Sequence, residues 1–264
     1  MLKLAPAYKL GAVSIGCAAV LAFIDWQWAW VPVVLFLLLC GAAPFCYRVG
    51  FFLPLVSRGR SGRPIVALTF DDGPHPATTP GLLDVLERYR VKATFFVIGH
   101  RAKAHPDLVQ AILSRGHTIG NHSYHHNPFI AFKGAQRVAD EIVSAQDLLR
   151  QLGVKPLVYR PPVGITYPSL GKVLSQLKLT AVTFSCRAGD RGNRSIDFIS
   201  ERILKRVRGD DIVMLHDHLG PNIQAADFLK EIARVLDGLP AKGLAVRPLE
   251  ELLGHPVNVV LGNF

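Results

Sequence analysis

Leu68-Thr69-Phe70-Asp71-Asp72-Gly73-Pro74 is the stretch on which the reading of this chain turns. It closes an apolar run, Ile65 to Phe70, with the composition of a buried strand. Two adjacent carboxylates then enter a Gly-Pro turn. Neighbouring side chains on a strand point to opposite sides. At a strand end the pair can therefore divide two tasks, one carboxylate holding a metal and the other moving a proton. Further on, His122-Ser123-Tyr124-His125-His126 offers two imidazoles at i and i+4. Asp plus two His is a three-ligand set that leaves metal positions open for water and substrate.

Outward from that turn, two kinds of pattern alternate. Ile65–Phe70, Ala93–Ile98, His117–Gly120, Leu157–Tyr159, Thr180–Ser185, Asp211–Leu215 and Leu244–Arg247 read as short strands. Thr79–Tyr89, Pro106–Arg115, Lys133–Leu152, Ser169–Gln176, Ser195–Val207 and Ala225–Leu236 read as helices. Such alternation predicts an α/β fold with a mostly parallel sheet, open or closed into a barrel. In barrels of this kind chemistry gathers at the C-terminal ends of the strands. Asp71/Asp72, His122/His126, Arg160, Asp190 and His216 all fall there. There is no internal repeat and no low-complexity tract.

Together these clusters resemble the NodB-type polysaccharide deacetylases, carbohydrate esterase family 4, over Pro64 to Gly254. Thr69-Phe70-Asp71-Asp72-Gly73 matches the family's first block and His122 to His126 its H-S/T-x-x-H block. Arg160-Pro161-Pro162-Val163-Gly164 matches the third, Ser185 to Arg191 falls at the fourth, and Leu215-His216 matches the last. The resemblance implies a distorted (β/α) barrel of about seven parallel strands and metal-dependent removal of an N-acetyl group from an amino sugar. It assigns Asp72, His122 and His126 to a divalent metal, usually zinc, and Asp71 to the general base. It assigns His216 to the general acid, the Val163 backbone N–H to the oxyanion, and Leu215 to the slot for the acetyl methyl. Physical chemistry adds two supporting residues. Arg160 can hold Asp71 oriented and ionised, and Asp190 can raise the imidazole pKa of His216. His75, His125 and His218 adjoin the motifs but match no family ligand, so they read as supporting or surface residues.

The fourth block departs from the family pattern, Asp-x-x-Asp-Trp. Here it is Arg187-Ala188-Gly189-Asp190-Arg191. Losing the Trp weakens the case for a long polysaccharide substrate. Two new arginines suggest an anion, so Arg187 and Arg191 are candidate readers of the phosphate of a lipid-linked amino sugar. The competing expectation is that they pair with Asp190 or Asp197. N-deformylation of a lipid-linked amino sugar and O-acetyl ester cleavage are alternatives within the same chemistry. A non-catalytic glycan- or lipid-binding relic is the alternative from another class.

The first segment differs from the rest. Leu10 to Ile24 is apolar and uncharged, Asp25-Trp26-Gln27 interrupts it, and Trp28 to Cys46 is a second apolar run. These read as an uncleaved transmembrane helical hairpin over residues 1–57, with Trp26, Trp28 and Trp30 at the interface. One span and a signal peptide are the alternatives. A linker, 58–64, and a catalytic domain, 65–264, follow. Lys3 and Lys9 precede the hairpin, and Arg48, Arg58, Arg60 and Arg63 follow it. The positive-inside tendency then places the catalytic domain on the cytoplasmic side of the cell membrane. Among 264 residues, 30 Lys+Arg face 20 Asp+Glu. That excess suits anionic lipid or a phosphorylated substrate, and no nucleic-acid-binding motif accompanies it. The four cysteines, Cys17, Cys40, Cys46 and Cys186, form no Cys-x-x-Cys pair and read as free, buried thiols.

Overall fold

A computed structural model describes residues 5–190 and 192–262. Its strands are β1 (Leu55–Val56), β2 (Ile65–Asp71), β3 (Thr94–Val97), β4 (Thr118–Asn121), β5 (Val154–Pro156), β6 (Val158–Tyr159), β7 (Thr180–Val182), β8 (Cys186–Arg187), β9 (Ile212–His216), β10 (Ala245–Val246) and β11 (Asn258–Val260). The helices are α1 (Pro6–Ile24), α2 (Trp30–Ala42), α3 (Thr79–Arg88), α4 (Gly99–Ala104), α5 (Pro106–Ser114), α6 (Gly134–Gln151), α7 (Pro168–Leu177), α8 (Ile199–Arg206), α9 (Ala225–Ala241) and α10 (Leu249–Leu253).

One curled sheet runs in the order β1-β7-β6-β4-β3-β2-β9-β8, with β10 added to β2. All its strand pairings are parallel. Among the described residues no pairing joins β1 to β8, so the barrel is incomplete. β5 and β11 form a separate antiparallel ribbon.

Both faces of β2 are buried, as a central parallel strand requires. Ile65 and Ala67 point inward with Phe96, Val158, Val182, Phe184, Ile212 and Met214. Val66, Leu68 and Phe70 point the other way, into a layer with Val213, Leu215, Leu82 and Leu86 of α3, and Ile232 and Val235 of α9. Continuing the inward alternation past Ala67 gives Thr69 and Asp71. The core pattern therefore delivers Asp71 to the rim of the half-barrel. Cross-strand register sets it beside His216, the last residue of β9.

Several boundaries differ from the expectation. β1 lies inside the stretch assigned to the anchor, and pairs with β7. The Gly/Arg/Ser linker is pinned: the Gly59 N–H donates to the Asp210 carbonyl, and the Ser61 and Gly62 N–H groups to the Asp210 carboxylate. α8 starts only at Ile199, because the Arg194 and Ser195 N–H groups fold back onto the Asp190 carbonyl. α9 runs past Leu236 to Ala241 and carries Pro240 in its last turn.

The two N-terminal apolar segments, Pro6–Ile24 and Trp26–Phe45, are each long and apolar enough to cross a membrane. They fold as a hairpin. The Asp25 carboxylate caps the turn by accepting from the Gln27 N–H, and the Ser14 hydroxyl donates to the Pro32 carbonyl. The outer surface is apolar: Phe23 is 94% exposed and Trp26 75%. Cys17 and Cys46 are also exposed there, against the expectation of buried thiols, while Cys186 is buried; all four are free.

Candidate active site

At the C-terminal rim of the sheet, strand ends and the loops after them converge on one cleft of about 570 Å³. Asp72 follows β2 directly and His122 follows β4. One ligand atom from each of Asp72, His122 and His126 lies within 4.8 Å of the others. His122 Nε2 is 3.5 Å and His126 Nε2 3.3 Å from Asp72 Oδ1. Four of the site's residues have strained backbone. Asp72 (φ 70), Ser123 (φ 65), His126 (φ 54) and Val163 (φ 51) all occupy the left-handed region, and for the β-branched Val163 that is a marked outlier.

Hydrogen bonds aim each imidazole. His122 Nδ1 lies 2.7 Å from the Arg160 carbonyl, which can only accept, so Nδ1 carries the proton and the Nε2 lone pair faces Asp72. His126 is held by its own N–H, which donates to the Ser123 hydroxyl. Burial lowers its pKa to about 4 despite Asp72 and Asp71, which leaves a neutral ring. Burial alone would raise the Asp72 carboxyl. The surrounding imidazoles, protonated His216 among them, outweigh it and hold the Asp72 carboxyl well below the usual carboxylate range.

This donor set fits a divalent cation. Asp72 Oδ1 is buried with no hydrogen-bond partner and faces two ring nitrogens. A buried anionic oxygen without a donor is costly. A cation between it and two neutral imidazoles removes that cost, and one carboxylate with two imidazoles is a common ligand set for zinc.

On one side of the triad, Asp71 Oδ1 accepts from Arg160 NH1 at 2.5 Å. Every nitrogen of the fully buried guanidinium has an acceptor: NH1 also reaches the Thr69 hydroxyl, NH2 the Thr183 carbonyl and Nε the Val182 carbonyl. It lies 3.9 Å from the Phe96 ring centroid, a buried cation–π contact. On the other side, His216 Nδ1 donates to Asp190 Oδ2 at 2.8 Å. Burial works against charging His216. The hydrogen bond and charge of Asp190, with Asp72 and Asp71 adding, prevail and raise its pKa to about 9. The cleft thus sets an anchored carboxylate opposite a protonated imidazole, with a cation site between them.

The family model for polysaccharide deacetylase matches residues 58–182. Over 209 residues the chain is 34% identical to a chitooligosaccharide deacetylase of Sinorhizobium fredii, spanning 76% of this chain and 97% of the relative. The chain belongs to the polysaccharide deacetylase family. A peptidoglycan-N-acetylglucosamine deacetylase of Bacillus cereus is 32% identical over 193 residues, 72% of this chain and 89% of the relative. A crystal structure of a peptidoglycan N-acetylglucosamine deacetylase with a bound naphthyl N-hydroxybenzamide aligns with a TM-score of 0.71 at 29% identity, covering 77% of this chain and 94% of that one. The fold, a parallel half-barrel, and the class of enzyme, a hydrolase of non-peptide carbon–nitrogen bonds, follow from this membership.

Within the deacetylase cleft, Val163 lines the wall and Leu215 does not. Leu215 is fully buried on the helix-facing side, and Met214 fills the corresponding place on the inner side. The reason is the two-residue period of β9, which puts Met214 and His216 on one face and Leu215 on the other. Arg187 lines the cleft but makes no ion pair with Asp190 or Asp197 among the described residues. Its guanidinium lies over Tyr47, 4.8 Å from the ring centroid. Arg191 lies outside the described residues.

Three neighbours complete the site: His218, expected as a supporting or surface residue, and Asp217 and Arg101, which the motifs do not include. His218 lines the cleft with Nδ1 buried, unpartnered and 3.8 Å from Asp72 Oδ2. Its separation from His216 by two residues was the available signal. Asp217 sits behind the carboxylate turn, accepting from the Thr78 and Thr79 hydroxyls, while its N–H donates to the Asp71 carbonyl. Gly73 has to be glycine beside it, since a Cβ there would lie 2.3 Å from Asp217 Oδ2. Arg101 NH1 donates to the Asp72 carbonyl from α4. No local pattern marks Asp217 or Arg101.

Proposed function

We propose that this protein is a metal-dependent, membrane-anchored deacetylase that removes an N-acetyl group from an amino sugar of the N-acetylglucosamine type. The carrying observation is the convergence of Asp72, His122 and His126, flanked by the Asp71–Arg160 and His216–Asp190 pairs. Asp72, His122 and His126 would hold a divalent cation, zinc in this reading, which would supply Lewis acidity to the amide carbonyl and to the attacking water. Asp71, kept oriented by Arg160, takes the proton of the attacking water. The Val163 backbone N–H is the donor to the developing oxyanion. His216, kept protonated by Asp190, gives its proton to the departing amine, without which an amide nitrogen is a poor leaving group. Met214 occupies the inner wall next to His216, which suits the acetyl methyl.

The anchor is the hairpin of Pro6–Ile24 and Trp26–Phe45, whose exposed apolar surface is stable only in lipid, and the catalytic domain faces the cytoplasm. A C-terminal reporter active only in the periplasm would overturn that side. With an arginine beside the cleft at position 187 and none of the family's Trp, the substrate is an amino sugar carried on a lipid phosphate. The test is incubation of the purified full chain with soluble and lipid-linked N-acetylated and N-formylated amino sugars, with and without a chelator. Acetate released without chelator and abolished with it is expected. Release of formate alone would replace acetyl by formyl, and release unaffected by chelation would remove the metal.

A further inference from the structure

A second cleft adjoins the catalytic one, and its charge is unbalanced. It has a volume of about 670 Å³ and is lined by Arg48, Arg58, Arg187, Lys205, Arg206 and Arg208 against a single carboxylate, Asp211. Asp211 is already committed. Its Oδ1 accepts from the Ser185 hydroxyl and lies 3.4 Å from Arg58 Nε, and its Oδ2 accepts from the Arg208 N–H. Among the described residues the other five cations have no ion pair. Lys205 and Arg206 sit in the last turn of α8, where helix carbonyls favour positive charge. That accounts for two of the six. The rest arrive from separate segments: Arg48 and Arg58 from the strap after the hairpin, Arg187 from β8 and Arg208 from the loop before β9.

The arginines are also oriented. Arg48 and Arg187 lie 5.7 and 4.8 Å from the Tyr47 ring centroid, and Arg48 NH2 donates to the Ser185 carbonyl. Holding several like charges together is unfavourable unless an anion joins them, and guanidinium forks match phosphate oxygens. Two further placements indicate what carries the anion. Tyr47 and Arg48 follow the second apolar segment, which ends at Phe45, so one wall of the cleft begins within three residues of a segment apolar enough to cross a membrane, and basic residues so placed suit anionic headgroups. Arg187 lines both clefts.

We infer that this cleft binds a phosphate or diphosphate ester on a membrane amphiphile, beside the catalytic centre. The ester belongs either to a lipid-linked amino sugar or to an anionic phospholipid. The first source rests on the deacetylase reading; the site itself does not.

The test uses the full chain in nonionic detergent and inorganic pyrophosphate as probe, read by isothermal titration calorimetry. One pyrophosphate per chain is expected in the wild type and equally in Asp72→Asn, which keeps this site apart from the metal. Arg206→Glu/Arg208→Glu is expected to weaken binding by about tenfold or more. Arg208→Ala alone, which removes no internal hydrogen bond of its side chain, serves if the double variant misfolds, and is expected to weaken binding in the same direction. In vesicles of phosphatidylglycerol, loss of pyrophosphate binding relative to phosphatidylcholine supports the site with a phospholipid headgroup in it. Binding retained in both supports the site with the substrate's phosphate. No binding, binding lost in Asp72→Asn, or binding unchanged by the arginine variants overturns the inference. Acetate release from a neutral chitooligosaccharide reports on the deacetylase reading separately, so either can fail alone.

Discussion

The two adjoining clefts treat charge in opposite ways. In the catalytic cleft the carboxylates are matched one by one: Asp71 with Arg160, Asp190 with His216, and Asp72 with two imidazoles across a cation site. In the neighbouring cleft six cations share one carboxylate. Paired charges in a buried site fix orientation and protonation state, which is what proton transfer needs. Unpaired, half-solvated cations fix neither and remain available to a mobile anion. The difference separates a place built for chemistry from a place built for holding.

The largest effect that could break this contrast is on the base. Asp71→Asn is expected to lower acetate release by about 10²–10⁴-fold while bound metal is retained. Loss of the metal instead would put Asp71 among the ligands and erase the division between the two carboxylates. Arg160→Met comes next. It leaves Asp71 buried and unpaired, so denaturant unfolding is expected to show a loss of about 3–5 kcal/mol; unchanged stability would mean that the pair contributes nothing structural. Asp190→Asn acts on the acid. Asp190, with Asp72 and Asp71 adding, raises the His216 pKa to about 9 from its usual 6.5, so without Asp190 the alkaline limb of kcat is expected to move to lower pH. The cost is about tenfold per pKa unit above the new limb, with little change below both values. A limb that does not move would show that another group supplies the proton. Smallest is Arg208→Ala. Its side chain is exposed and has no internal partner, so unfolding free energy is expected to stay within about 0.5 kcal/mol. A loss comparable to that of Arg160→Met would mean that the second cleft is paired after all.

Much of the first cleft was legible in the chain. An apolar strand ending in Asp71-Asp72 and two histidines at i and i+4 carry local signals, and alternation of strands and helices brings their ends to one rim. The wall position next to His216 is legible too, since counting back by two along β9 reaches Met214 and not Leu215. His218, expected as a supporting or surface residue, is reached by counting forward by two and lines the cleft. Asp217 and Arg101 were not, because they act through the backbone of a turn made elsewhere in the sequence. Nor was the partner of Arg187, since Tyr47 reaches it only after the strap folds back on β7 and β8. The ribbon of β5 and β11 escaped for a simpler reason: three residues each, one strand ending in Pro156, are too few for a period to show.

The most direct test of the central claim is the metal content of the purified full chain after loading with zinc and removal of excess. One zinc per chain is expected in the wild type, and none in Asp72→Asn or His126→Ala, with acetate release lost in step. A wild-type chain that holds no zinc, or an Asp72→Asn chain that keeps it, would contradict a cation shared by Asp72, His122 and His126.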